Sequence, residues 1–156
     1  MDATTLVFGN FKGGVGKTTN STMTALELAR RGNKTLVVDL DPQGNATNLF
    51  LKTKQNVEKE MVVFDKTLMA AIRDKQLNEA LVSITENLDI LASAPDFSLY
   101  PRYMESISDH YNERVVYLNK LLQPLRKIYD YIIIDIPPTI SLITDSALYA
   151  LSLIHI

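Results

Sequence analysis

Asn10-Phe11-Lys12-Gly13-Gly14-Val15-Gly16-Lys17-Thr18-Thr19 is the stretch that decides how this chain reads. Half of the protein's six glycines fall at positions 13, 14 and 16. They follow the apolar run Thr5-Leu6-Val7-Phe8 and precede a helical pattern. Glycine weakens regular structure, but it lets the main chain curl so that successive N–H groups point inward at an anion. A helix start directly behind the curl adds unpaired N–H groups and a partial positive charge. The backbone from Gly13 through Gly14, Val15, Gly16, Lys17 and Thr18 to Thr19 therefore reads as a phosphate cradle. Lys17 supplies a full positive charge for β- and γ-phosphates, and the Thr18 hydroxyl is placed to ligate Mg²⁺.

Outward from this loop the chain alternates between two periodicities. Residues 5–8 read as a buried strand. A helix is expected from Thr18 to Arg31, with Met23, Leu26 and Ala29 at three-residue spacing and Gly32 placed to end it. Residues 35–40 read as a second strand and 88–92 as a third. Tyr131-Ile132-Ile133-Ile134-Asp135 reads as a fourth, the most hydrophobic of all. Further helices are expected over 67–73, 78–84, 112–127 and 141–150. Segment 52–66 is polar and weakly patterned, and 98–109 is ambiguous. Val115, Leu118, Leu122 and Leu125 lie on one helical face. The alternation predicts an α/β fold: one mostly parallel sheet with helices on both faces.

Two strand ends carry acids. Asp39 and Asp41 point the same way by strand alternation, at the carboxyl end where α/β ligands sit. Paired acids beside phosphates repel them unless metal or water intervenes, which points to a role on Mg²⁺ or water. Taken alone, the stretch also reads as a strand-end turn with Asx hydrogen bonding. Asp135 ends the fourth strand, where a carboxylate holds Mg²⁺, usually through water. Pro137 and Pro138 then stiffen the segment that follows.

Composition narrows the remaining classes. The 156 residues suit one domain, and their net charge of −2 provides no basic field for nucleic acid. The absence of cysteine excludes disulfides, thiolate metal sites and cysteine nucleophiles. His110 and His155 share no motif. No basic-then-apolar leader opens the chain, and no apolar stretch nears the ~20 residues of a membrane helix, so a cytoplasmic protein is expected.

The loop departs from the usual G-x-x-x-x-G-K-[ST] pattern: Phe11 stands where a glycine is expected, and Lys12 follows. This combination resembles the deviant Walker A motif of the ParA/MinD superfamily. "DLDPQGNAT" (residues 39–47) is similar to the switch I segment of ParA and Soj proteins, and "YDYIIIDIPPT" (129–139) to a Walker B strand with switch II. The resemblance implies a P-loop fold that binds ATP and Mg²⁺ and dimerises around two nucleotides. It implies that Lys12 reaches the partner's phosphates in trans, although a solvated loop lysine is the plainer reading. Lys17 would serve its own nucleotide, Asp41 would orient the attacking water, and Thr18, Asp39 and Asp135 would form the metal side. A ParB-type centromere-binding partner, non-specific DNA binding outside this segment and no membrane partner are also implied, with nucleoid association in the cell. The family's MinD-like and other ATPases, or an inert fragment, are the alternatives. Because such proteins run to about 250 residues or more, 1–150 is expected to be the amino-terminal part of one ATPase domain, incomplete at its carboxyl end. Leu151 to Ile156 break the family pattern and back-translate to a run resembling a transposase mosaic end, so they are expected to be a non-native tail.

Overall fold

The apolar runs form five short strands: β1 (Thr4–Phe8), β2 (Thr35–Asp39), β3 (Leu81–Thr85), β4 (Leu88–Leu91) and β5 (Tyr131–Asp135). Between them lie α1 (Lys17–Arg30), α2 (Asn45–Glu58), α3 (Leu68–Asp74), α4 (Tyr100–Ile107) and α5 (Tyr111–Leu122), with α6 (Leu142–Tyr149) last. The computed structural model describes residues 2–59 and 62–152. The strands make one sheet in the order β1-β5-β2-β4-β3, parallel except for the antiparallel β3 edge.

Alternation along each strand divides the core into two layers. Leu36, Val38, Ile132 and Ile134 pack with Met69, Met104, Leu118 and Ile143 on the face covered by α3 to α6. Val37, Ile90 and Ile133 pack with Ala25, Ala29 and Phe50 on the face covered by α1 and α2. Burial on both faces is why these strands read as unbroken apolar runs.

Four segments differ from their sequence reading or sharpen it. The segment expected as a helix over 78–84 is a 3-10 turn at Leu77–Ala80 followed by β3, which pairs back onto β4 across Glu86 and Asn87. Only Ile84 of β3 is buried, so this edge strand has mixed composition and little apolar signal. The polar segment 52–58 continues α2, and the ambiguous 98–109 contains α4. The helix expected over 112–127 ends at Leu122. Pro124 lacks an amide proton and crowds the preceding turn, and a 3-10 turn at Leu125–Lys127 follows.

On α1 the buried residues are Ser21, Thr22, Ala25 and Ala29, whereas Met23 is exposed. The Met23–Leu26–Ala29 stripe thus lies beside the true contact face, which is made of small side chains that bring the helix close to the sheet. After α6, Ser152 accepts the Thr5 amide at 2.9 Å and its own amide reaches the Thr5 carbonyl at 3.4 Å. Residues 153–156 of the expected tail lie outside the described residues.

Candidate functional site

Sheet order places the candidate residues side by side. Because β5 lies between β1 and β2, Asp135 is in register with Phe8 on one side and Asp39 on the other. The glycine loop leaves β1 at this same edge and enters α1. Gly14 (φ +71°) and Gly16 (φ +83°) occupy the left-handed region, Gly16 as the residue before the helix. A side chain there would strain the backbone, so the curl requires glycine.

The loop and the next strand end share a cleft of about 630 Å³. Its walls include Gly13, Gly14, Gly16, Lys17, Thr18, Thr19 and Asp41, together with Gln43 and Asn45 at the start of α2. Lys17 Nζ donates to the Lys12 carbonyl at 3.0 Å, which holds its charge inside the curl. Lys12 and Val15 are exposed and do not line the cleft. The Lys12 amide donates to Asn10 Oδ1 at 2.9 Å, and this bond shapes the outer rim.

Beneath the cleft lies a buried polar layer. Thr18 Oγ1 donates to Asp135 Oδ2 at 2.8 Å, and Ser21 Oγ donates to Asp135 Oδ1 at 2.8 Å. Asp135 is fully buried, and burial pushes its carboxyl up against the opposing effect of these two hydroxyls. The nearby Asp41 pushes it the same way as burial, and Lys17 the opposite way.

Asp39 is fully buried too. Its Oδ1 accepts the Asp41 amide at 3.1 Å, and its Oδ2 accepts the Thr47 amide at 2.9 Å and the Thr47 hydroxyl at 2.7 Å. Burial raises its carboxyl to about 6 despite those three bonds, with the nearby Asp135 adding to the rise. Asp41 Oδ1 in turn accepts the Gln43 amide at 2.9 Å. Both acids therefore make the Asx hydrogen bonds that the sequence also allowed. Asp41 faces the cleft, whereas Asp39 and Asp135 form its underside.

The loop with Lys17 and Thr18, Asp41 and Asp135 thus converge from three separate parts of the chain. Ser21, Gln43, Asn45 and Thr47 join them without having been picked out in the sequence. Ser21 is three residues beyond Thr18, on the same side of α1, and Thr47 closes the quoted 39–47 stretch; both signals were present. His110 precedes α5, away from the cleft, and His155 lies outside the described residues. Among the described residues, no group of three or more acidic, imidazole or thiol side chains forms a metal cage, and no helix is long and apolar enough to cross a membrane.

The AAA_31 family model, an AAA domain, matches residues 3–156. The chromosome-partitioning ATPase Soj of Treponema pallidum is 34% identical over 146 residues, which cover 94% of this chain and 53% of that protein. Among solved structures, an ATP complex of McdA from Cyanothece superposes with a TM-score of 0.79 at 30% identity, covering 96% of this chain and 54% of that one. Cobyrinic acid a,c-diamide synthase from Mycobacterium smegmatis, with bound ADP and magnesium, superposes with a TM-score of 0.81 at 27% identity, covering 96% and 57%. The chain spans about half the length of the curated relatives it matches.

Proposed function

This chain belongs to the AAA_31 family, and we propose that it is part of a ParA/Soj-type partition ATPase that binds ATP with Mg²⁺ and hydrolyses its γ-phosphate. The observation that carries the reading is the Thr18–Asp135 hydrogen bond, set beneath a glycine curl that already holds the Lys17 ammonium. A hydroxyl and a carboxylate joined in this way are a hard-oxygen pair suited to Mg²⁺, which takes few protein ligands and is otherwise satisfied by phosphate and water. Open space around Gly13 and Gly14, where a Cβ would meet no atom within 4 Å, suits close approach of phosphate to main chain.

In this reading the N–H groups from Gly13 to Thr19 and the Lys17 ammonium bind the phosphates. Thr18 and Asp135 would hold the metal, which would supply positive charge to offset that of the phosphates. Asp39 stands behind that pair as a structural acceptor: among the described residues it has no hydrogen bond to the glycine loop or α1, and its oxygens take the Asp41 amide and the Thr47 amide and hydroxyl. Asp41 lines the cleft and holds the attacking water in line with the γ-phosphate, so the work is positioning and charge stabilisation. Lys12, on the outer rim, serves the nucleotide of a second subunit in a sandwich dimer. The whole protein would then respond to a ParB-type partner and bind DNA without sequence preference, acting in the cytoplasm on the nucleoid with no membrane partner.

The test is equilibrium titration of this chain with a fluorescent ATP analogue and Mg²⁺, alongside phosphate release. Saturable binding is expected, weakened about 10- to 100-fold in Lys17→Ala by loss of one charged contact. Equal binding by the two proteins, or none by wild type, rejects the nucleotide site. Binding without phosphate release limits this chain to nucleotide capture.

A further inference from the structure

We propose that Thr47 is a positioning residue for Asp41: its side chain locks the loop from Asp39 to Gly44 between the ends of β2 and β4. The inference rests on the ATPase reading for its catalytic consequence, but the lock itself is a matter of geometry. Three elements meet at one hydroxyl. Thr47 Oγ1 donates to Asp39 Oδ2 at 2.7 Å, at the end of β2, and accepts the Ser93 amide at 2.9 Å, just beyond β4. The Thr47 amide, in the first turn of α2, donates to the same Asp39 oxygen at 2.9 Å. Thr47 is 3% exposed and Ser93 4%, so water does not substitute for either bond.

These contacts determine where Asp41 sits. The other Asp39 oxygen accepts the Asp41 amide, and Asp41 accepts the amides of Gln43 through its side chain and Gly44 through its carbonyl at 2.8 Å. Gly44 has φ +62°, and a Cβ there would lie 3.4 Å from the Ser93 carbonyl. The turn therefore lies in contact with the β4 end, and its left-handed backbone at Gly44 favours glycine. Within the loop, the Leu40 amide is tied to the Asp135 carbonyl of β5 at 2.9 Å, the Asp41 amide to Asp39 Oδ1, and the Gln43 and Gly44 amides to Asp41 itself. Asp39 is oriented in turn by the two bonds from Thr47. Removing the hydroxyl strips one donor from Asp39 and takes away the acceptor of the Ser93 amide, while leaving the Thr47 amide in place.

Thr47 has no route to the cleft and does not line it. Its effect must therefore pass through Asp41, and it should alter the hydrolytic step more than nucleotide affinity. Thr47→Val keeps volume and branching but removes the hydroxyl; Thr47→Ser keeps the hydroxyl and removes only a methyl group.

The experiment compares wild type, Thr47→Val and Thr47→Ser in three readouts: affinity for a fluorescent ATP analogue with Mg²⁺, single-turnover phosphate release, and amide hydrogen exchange over residues 41–48. For Thr47→Val, affinity is expected to stay within about 3-fold, while phosphate release slows and the 41–48 amides exchange faster, each about 10-fold or more. Thr47→Ser is expected to restore both to within about 3-fold of wild type. Wild-type rates and protection in Thr47→Val overturn the proposal, as does a 10-fold loss in Thr47→Ser; the serine result stands even if the valine variant fails to fold. If wild type itself binds no nucleotide, the ATPase reading falls, and the exchange data alone decide the lock: unchanged protection in Thr47→Val refutes it, and faster exchange reversed by serine supports it.

Discussion

Asp39→Asn should flatten the dependence of folding stability on pH. Burial lifts the Asp39 carboxyl from its ordinary 3.8 to about 6, against three hydrogen bonds that favour its charge and with Asp135 adding to the rise. A carboxyl raised in this way holds its proton more tightly in the folded chain than in the unfolded one. Its stabilising contribution is complete below the unfolded value and is lost as pH rises through 6. The full span is about 3 kcal/mol. About 1.4 kcal/mol of it remains at pH 5 and almost none at pH 7.5, where the buried group is ionised. Urea titrations of both proteins at those two pH values measure the difference. Wild type should lose about 1.4 kcal/mol more than Asp39→Asn on going from pH 5 to pH 7.5. Asp135 is also pushed up by burial and remains in both proteins. It titrates in the same direction in each, so the difference between them reports position 39 together with its coupling to Asp135. Parallel pH dependences, or a steeper one in the variant, would refute the argument that burial dominates at Asp39.

Two further substitutions probe the site from opposite sides. Ser21→Ala removes a 2.8 Å donor from buried Asp135, which should cost about 1–3 kcal/mol in urea unfolding at pH 7.5. The deficit should shrink toward pH 5, because the lost donor favoured the charged form; a deficit that grows on acidification contradicts the assignment. Lys12→Ala should leave affinity for the ATP analogue within about 3-fold but cut steady-state hydrolysis by about 1,000-fold if Lys12 acts as a finger in trans. Normal turnover in that variant would remove Lys12 from the mechanism.

What could be read from the chain depended on whether a signal was local. Strands β2 and β5 are buried on both faces and β1 is largely half-buried, and each shows as an apolar run ending beside the cleft. The cradle glycines and Lys17 are contiguous, so their spacing alone carried the chemistry. β3 was misread because an edge strand needs only one inward side chain, here Ile84. The whole of α2 lay outside the expected helices: it starts within the turn-like 39–47 stretch, and its polar carboxyl half carries no apolar stripe. No local pattern could place β5 between β1 and β2, yet that order alone sets Asp135 beside Asp39.

The same order explains why the buried face of α1 begins with hydroxyls. Two carboxylates one strand apart, both fully buried, cannot be left with apolar neighbours. Each unsatisfied oxygen would cost at least as much as an unpaired amide, and a buried charge considerably more. Thr18 and Ser21 satisfy Asp135 from α1, and Thr47 satisfies Asp39 from α2. These partners lie 117, 114 and 8 residues from the acids they serve. The serine at position 21 and the threonine at position 47 therefore look unremarkable in the sequence. Their meaning comes from the sheet that brings the acids to them. The apolar core must first fix the strand order, and only then does a polar layer above it become both affordable and specific.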